Sequence, residues 1–219
     1  MYFNGKELYV HSCGYTAFIV ELTDNILFDQ ENVLTVKVDS REGLNTPPFG
    51  FVIDYLTYGG IYRDVWLYDK PAYFIKDVFV TTNTLDTVSV SIQTDGLVPI
   101  DSYQVKILDS KGEIIAQQAV SINTRQIQIP VKNIHAWTAE SPTLYRCIVE
   151  LGDDTFATNF GFRTIRFDQN NLYINDQKVF LRGLNRHQCY PYIGYAAVDS
   201  LQEEDARILK EELHVNAVR

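Results

Sequence analysis

The sequence predicts a mainly β chain that ends in a strand–helix–strand unit, and three observations carry that prediction. Apolar and polar residues alternate at period two over several short segments between residues 33 and 131. Clusters of turn-forming residues separate those segments. Near the carboxyl end the period lengthens to that of one amphipathic helix, with apolar runs on both sides. The composition, 46% hydrophobic and 21% charged, suits a folded core and excludes a disordered chain. The formal charge of -9 argues against a phosphate-binding surface for nucleic acid or an anionic membrane. No apolar run approaches the ~18 residues of a membrane-spanning helix. The start, MYFNGKELYVHSC, lacks the basic and apolar regions of a signal peptide, so a cytoplasmic location is expected.

The elements follow in order. VLTVKVDS (33–40) sets Leu34, Val36 and Val38 on one side of a strand. TVSVSIQT (87–94) does the same with Val88, Val90 and Ile92, and RQIQIPV (125–131) with Ile127, Ile129 and Val131. SYQVKIL (102–108) and EIIAQQAV (113–120), joined by DSKG, read as a hairpin. Such alternation buries one face and wets the other, as in antiparallel sandwiches. Pro130 places its strand towards an edge. DKPAYF (69–74) and FGFRTIRFDQNN (160–171) are junctions where the composition changes. The stretch between them is about the size of an immunoglobulin-like sandwich, ~100 residues, although the Cys pair and Trp of antibody domains are absent.

NLYINDQKVFLRG (171–183) reads as a short hairpin and then a strand. DSLQEEDARILKEELH (199–214) reads as a helix with Asp199 or Ser200 as its cap and Glu203 in capping-box position. Leu201, Ile208, Leu209 and Leu213 form its apolar stripe, and Glu203/Arg207 and Arg207/Glu211 are i,i+4 pairs. VNAV (215–218) begins another strand. Strand–helix–strand is the unit of a parallel sheet.

Few residues invite chemistry. Cys13, Cys147 and Cys189 are widely spaced and read as free thiols; His187 lies two residues from Cys189. The histidines form no zinc pattern. Glu203–Glu204 and Glu211–Glu212 are neighbours on a helix, point ~100° apart, and read as a solvated face rather than a catalytic pair. SREGLNTPPFGFVIDYLTYGGIYRDV (40–65) is rich in glycine and aromatics around Asp54. Aromatic faces beside one carboxylate suit a sugar, and they equally suit a loop packed on its own sheet with Asp54 capping a turn. GLNRHQCYP (183–191) follows a strand, where α/β folds place ligands. There His187 is either a donor to a hydroxyl or a structural residue, and Arg186 is either a ligand contact or a salt-bridge partner.

At these residues the sequence resembles glycoside hydrolase family 2, most closely its bacterial β-galactosidases. NGKELYVHSCGYTAFIVELTD (4–24) and DYLTYGGIYRDVWL (54–67) look like the last strands and closing motif of the family's sugar-binding jelly roll. AWTAESPTLYRCIVEL (136–151) and FGFRTI (160–165) resemble the following immunoglobulin-like domain and its exit. NLYINDQKVFLRGLNRHQCYPYIG (171–194) and NAVR (216–219) look like the opening of the catalytic (β/α)₈ barrel. The spacing His187-x-x-x-Pro191-x-x-Gly194 is similar to galactosidase-like rather than glucuronidase-like members.

The resemblance implies a partial jelly roll over 1–70, an immunoglobulin-like sandwich over 71–166, and the first βαβ unit of an incomplete barrel over 167–219. It implies a retaining hydrolase of terminal β-galactosides, with Asp54 and His187 binding the sugar and Asp54 also helping to hold a monovalent cation. Arg63 is implied to be structural. Gln188 stands where the family usually has Glu, and Asp176 where the hairpin usually has Gly; Asn175–Asp176 still tolerates the left-handed turn. The acid/base and nucleophile glutamates, and the Mg²⁺ ligands beside them, are expected beyond Arg219. The chain is therefore expected to be inactive by itself and to bind no cofactor, whereas the longer enzyme would use Mg²⁺ and Na⁺. Unpaired apolar strands around Val179–Leu181 and Val215–Val218 are expected to promote self-association. Two rival readings are a non-catalytic carbohydrate-binding or interaction module, and a β-glucuronidase or β-mannosidase specificity within the same family.

Overall fold

A computed structural model describes residues 1–41, 58–96 and 100–219. The chain divides into two units. One comprises Met1–Trp66, Leu184–His214 and Val218–Arg219; the other comprises Leu67–Gly183 and Val215–Ala217.

In the first unit, β1 (Tyr2–Phe3) and β2 (Lys6–Glu7) form a hairpin, and β3 (Leu34–Thr35) pairs with the other side of β1. The hairpin turns on Asn4 and Gly5, both left-handed at φ 50° and 80°, as a two-residue turn of this type requires. The Asn4 side chain also accepts from the Val33 amide at 2.9 Å and donates to Asn32 Oδ1 at 2.9 Å, which pins β3 beside the turn. The strand expected over 33–40 is shorter than its alternation suggests. Among the described residues only Leu34 and Thr35 of this stretch have ladder partners, and Val36 and Val38 stand 40% and 49% exposed. Alternation yields a long strand only where a neighbour supplies hydrogen bonds along its whole length.

The second unit is built on a sandwich of seven antiparallel strands. One sheet has the order β4 (Tyr73–Thr81), β5 (Thr87–Gly96), β8 (Gln126–Pro130). The other has the order β10 (Asp154–Phe160), β9 (Tyr145–Leu151), β6 (Ser102–Leu108), β7 (Ile114–Ser121). The residues picked out by alternation form the core: Val88, Val90 and Ile92 from β5, Ile127 and Ile129 from β8, with Val105, Ile107, Cys147 and Val149 from the second sheet. β6 and β7 form the expected hairpin, and β8, with Pro130, is an edge strand. Burial pushes the Cys147 thiol up to about 12, so it acts as a small apolar side chain. All three cysteines are free.

Two side chains fasten the sandwich. Tyr145, two residues before Cys147 at the start of β9, accepts a hydrogen bond at its Oη from the His135 amide at 2.8 Å. This is the tyrosine corner of immunoglobulin-like sandwiches. Its ring meets Phe162 edge-on at 4.8 Å. Tyr145→Phe is expected to keep the packing and orphan the amide, costing about 1–2 kcal/mol in a chemical denaturation experiment. The second fastening is Asp154, whose Oδ2 accepts from the Ile75 amide at 2.7 Å while Lys70 Nζ donates to Oδ1 at 3.0 Å. Ile75 adjoins a bulge in β4, and Asp154 takes its amide.

After the sandwich, β11 (Ile165–Asp168), β12 (Asn171–Ile174) and β13 (Gln177–Val179) form a meander. Its second turn puts Asn175 and Asp176 at φ 51° and 61°. Asn175 also holds the preceding chain, accepting from the Thr164 amide at 3.0 Å and donating to the Trp137 carbonyl at 2.9 Å. Asp176 makes no comparable bond among the described residues, so Asp176→Gly is expected to stabilise the turn by a few tenths to about 1 kcal/mol, read as a rise in melting temperature.

The strand–helix–strand unit is present. β14 (Gly183–Leu184) and β15 (Ala217–Val218) form a two-stranded sheet. Asn216 N donates to Arg182 O at 2.9 Å and Arg219 N to Leu184 O at 3.0 Å; the two numbers rise together, so the strands run parallel. Between them lie α1 (Asp199–Arg207) and a π turn over Ile208–Glu212. The cap differs from expectation. Val198 is the N-cap and makes no side-chain cap bond, so no capping box forms. Asp199 is instead the first helical residue, where its carboxylate faces the positive end of the helix. Arg207 pairs with Glu204 at 2.7 Å, Glu211 at 3.4 Å and Glu212 at 3.0 Å, in place of the expected Glu203. The wider π turn explains Glu212, since it brings i+5 round to the face of i. No residue of α1 or of the π turn is fully buried.

Candidate functional site

The loop after β14, with Tyr15, Tyr62, Arg63, Tyr195 and Arg219, lines an open groove of about 380 Å³ within the first unit. Tyr15, Tyr62 and Tyr195 give it aromatic walls; Asn185, His187 and Gln188 give it hydrogen-bonding edges. Arg63, Arg186 and Arg219 complete the lining. His187 therefore sits where the sequence placed it, just past the carboxyl end of a parallel strand. Asp54 lies outside the described residues.

Each wall has a local cause. Arg63 donates from Nη1 to the Tyr195 carbonyl at 2.6 Å and from Nη2 to Gln188 Oε1 at 2.8 Å, while its guanidinium lies 5.3 Å from the Tyr62 ring centre. It is a strut between groove walls, which agrees with its expected structural role. Gln188 serves here as an amide acceptor; a glutamate would make the same contact an ion pair. Tyr58 packs edge-on against Tyr195 at 4.8 Å, and its Oη lies 2.9 Å from Cys189 Sγ. The Cys189 contact raises the Tyr58 hydroxyl above its ordinary value. Gly194 is required at φ 57°, since a Cβ there would stand 2.8 Å from the Tyr58 ring.

Arg186 turns away from ligand chemistry. Its Nε donates to Asp205 Oδ2 at 2.8 Å, and Nη2 reaches Gln202 Oε1 at 2.8 Å and Tyr190 Oη at 2.6 Å. Of the two readings open from sequence, the structure selects the salt bridge. Asp205 balances the Arg186 charge, whereas Arg63 donates to neutral acceptors and keeps its charge at the groove wall. Aromatic faces with amide and imidazole edges match a neutral polyol, which offers C–H faces and hydroxyls.

Tyr15, Asn185, Tyr195 and Arg219 were not singled out from sequence. Their signal is positional rather than local: 185 and 219 follow the ends of adjacent parallel strands. Among the described residues no three His, Cys, Asp or Glu side chains converge as metal ligands. Among the same residues no helix is long and apolar enough to cross a membrane.

The architecture defines a class first: an immunoglobulin-like sandwich followed by a strand–helix–strand unit whose loop carries a groove. A β-glucuronidase structure from Bifidobacterium dentium, complexed with coumarin-3-O-glucuronide, shares this fold with a TM-score of 0.62 at 21% identity, over 68% of this chain and 27% of that one. Residues 73–163 match the model of glycosyl hydrolases family 2. The β-galactosidase of Thermoanaerobacterium thermosulfurigenes is 37% identical over 100% of this chain and 33% of its own length. That of Thermoanaerobacter pseudethanolicus is 37% identical over 100% of this chain and 32% of its own. The chain belongs to glycosyl hydrolase family 2, and it spans about a third of the length of these curated relatives.

Proposed function

We propose that this chain supplies part of the sugar-binding wall of a retaining glycosidase that cleaves terminal β-galactosides. The observation that carries the reading is the placement of His187 in an aromatic, amide-edged groove past a parallel strand. The 37% identity to two β-galactosidases over the whole chain supports the galactoside. His187 donates to a sugar hydroxyl and steadies the charge that develops at the ring in the transition state. Asp54 accepts from a second hydroxyl. Retaining chemistry needs two carboxyls ~5–5.5 Å apart across the glycosidic bond, and we assign both to parts of the enzyme outside this chain. By itself the chain then holds sugar weakly and hydrolyses nothing. Exposed Phe180 (77%) and Leu181 (56%) favour concentration-dependent self-association, measurable by sedimentation velocity.

The test is a chimera in which this chain replaces the matching segment of the Thermoanaerobacterium thermosulfurigenes β-galactosidase. A chromogenic β-galactoside is expected to be hydrolysed by the chimera and not by the 219-residue chain. Turnover by the chain alone, or a folded chimera without activity, would overturn the reading.

A further inference from the structure

We propose that Asp205, assisted by Gln202, is a positioning residue for His187: acting through Arg186 and Tyr190, it fastens the groove loop to helix α1. The proposal rests on the reading of the groove as a sugar site, because only then does the placement of His187 matter for function.

The loop from Asn185 to Cys189 has no regular structure of its own. Its shape must come from side chains and isolated backbone contacts. Arg186 supplies both. Its amide donates to the Arg219 carbonyl at 3.0 Å, which fixes the backbone directly before His187. Its side chain, 18% exposed, reaches α1, where Gln202 and Asp205 lie three residues apart on one face. Asp205 is the hub. A single oxygen, Oδ2, accepts from Arg186 Nε at 2.8 Å and from Tyr190 Oη at 2.7 Å. The same hydroxyl lies 3.1 Å from the Leu201 carbonyl, its other acceptor on the helix. Tyr190 in turn closes the far end of the loop through paired backbone bonds with Gly194, each 3.0 Å.

The loop is therefore fastened on both sides of His187, at 186 and at 190, and both fastenings meet on one carboxylate. The hydrogen bond from Tyr190 and the pairing with Arg186 hold that carboxyl below its ordinary value, so it stays charged at neutral pH. Charge-assisted, partly buried bonds of this kind are stronger and more directional than exposed ion pairs. Arg207 is the internal contrast. It sits on the same helix, pairs only with exposed glutamates, and has no hydrogen bond to the loop among the described contacts.

The test is ¹H–¹³C NMR of the His187 ring in the 219-residue chain, with thermal unfolding as a companion. Wild type and Arg207→Ala are expected to give the same single sharp cross-peak. Asp205→Ala is expected to lose it, by displacement and exchange broadening, while Asp205→Asn, which keeps an acceptor, largely retains it. Gln202→Ala removes one bond and leaves the ion pair, so it serves if Asp205→Ala fails to fold, with a smaller displacement in the same direction. His187 signals that superpose on wild type in folded Asp205→Ala or Gln202→Ala would overturn the proposal, as would an equal change in Arg207→Ala. The readout uses no sugar, so its failure is separate from failure of the galactoside reading, which the chimera tests.

Discussion

Substituting His187 by alanine in the chimera lowers kcat/KM for a chromogenic β-galactoside by about 10²–10³-fold, the range for removing one preorganised donor from a transition state. The fall is expected mainly in kcat, because the developing ring charge is absent from the ground state. His187→Gln keeps a donor without the imidazole and is expected to recover part of the loss. Steady-state kinetics on folded variants provide the check. A His187→Ala enzyme within threefold of its parent would remove His187 from the site. Tyr62, Tyr195 and Gln188 wall the groove around His187.

The largest effect on stability is expected at Asp154. Its side chain is 8% exposed and holds both the Ile75 amide and Lys70. Asp154→Ala leaves a buried N–H without an acceptor and a lysine without its partner, and should cost about 3 kcal/mol. Asp154→Asn keeps an acceptor for the amide and should cost about half as much. Burial pushes the Asp154 carboxyl up, but the Ile75 amide and Lys70 outweigh it and hold the group below its ordinary 3.8. As pH falls, the unfolded chain takes up this proton first. The stabilisation is therefore complete above the ordinary carboxylate range and is lost as pH falls through the folded value. Urea denaturation at neutral and acid pH tests this: the difference between wild type and Asp154→Ala should shrink as the pH drops. A difference that is constant with pH would contradict the role of the charge.

These two residues differ in how readable they are from sequence. Val88, Val90 and Ile92 announce a strand because the period of two is written within eight residues. The 102–120 hairpin and the Asn175–Asp176 turn are legible for the same reason, since their chemistry is local. His187 is legible through its position after a strand and before a helix. Asp154 is not, because its partner amide lies 79 residues earlier and carries no side-chain signal. The Arg186–Asp205 fastening spans 19 residues and joins a loop to a helix, so no local pattern announces it. The helix cap is not legible, because Val198, which offers no capping group, takes the N-cap in front of Asp199 and Ser200. At 33–40 alternation reports a preference, and among the described residues only Leu34 and Thr35 find a neighbour to pair with.

The groove around His187 is proposed as a sugar-contacting wall of a glycosidase. Its most direct test is a crystal structure of the chimera soaked with a non-hydrolysable thiogalactoside. The imidazole of His187 is expected within hydrogen-bond reach, ~2.6–3.2 Å, of a ring hydroxyl. A well-ordered galactoside bound elsewhere, with His187 touching only protein, would contradict it.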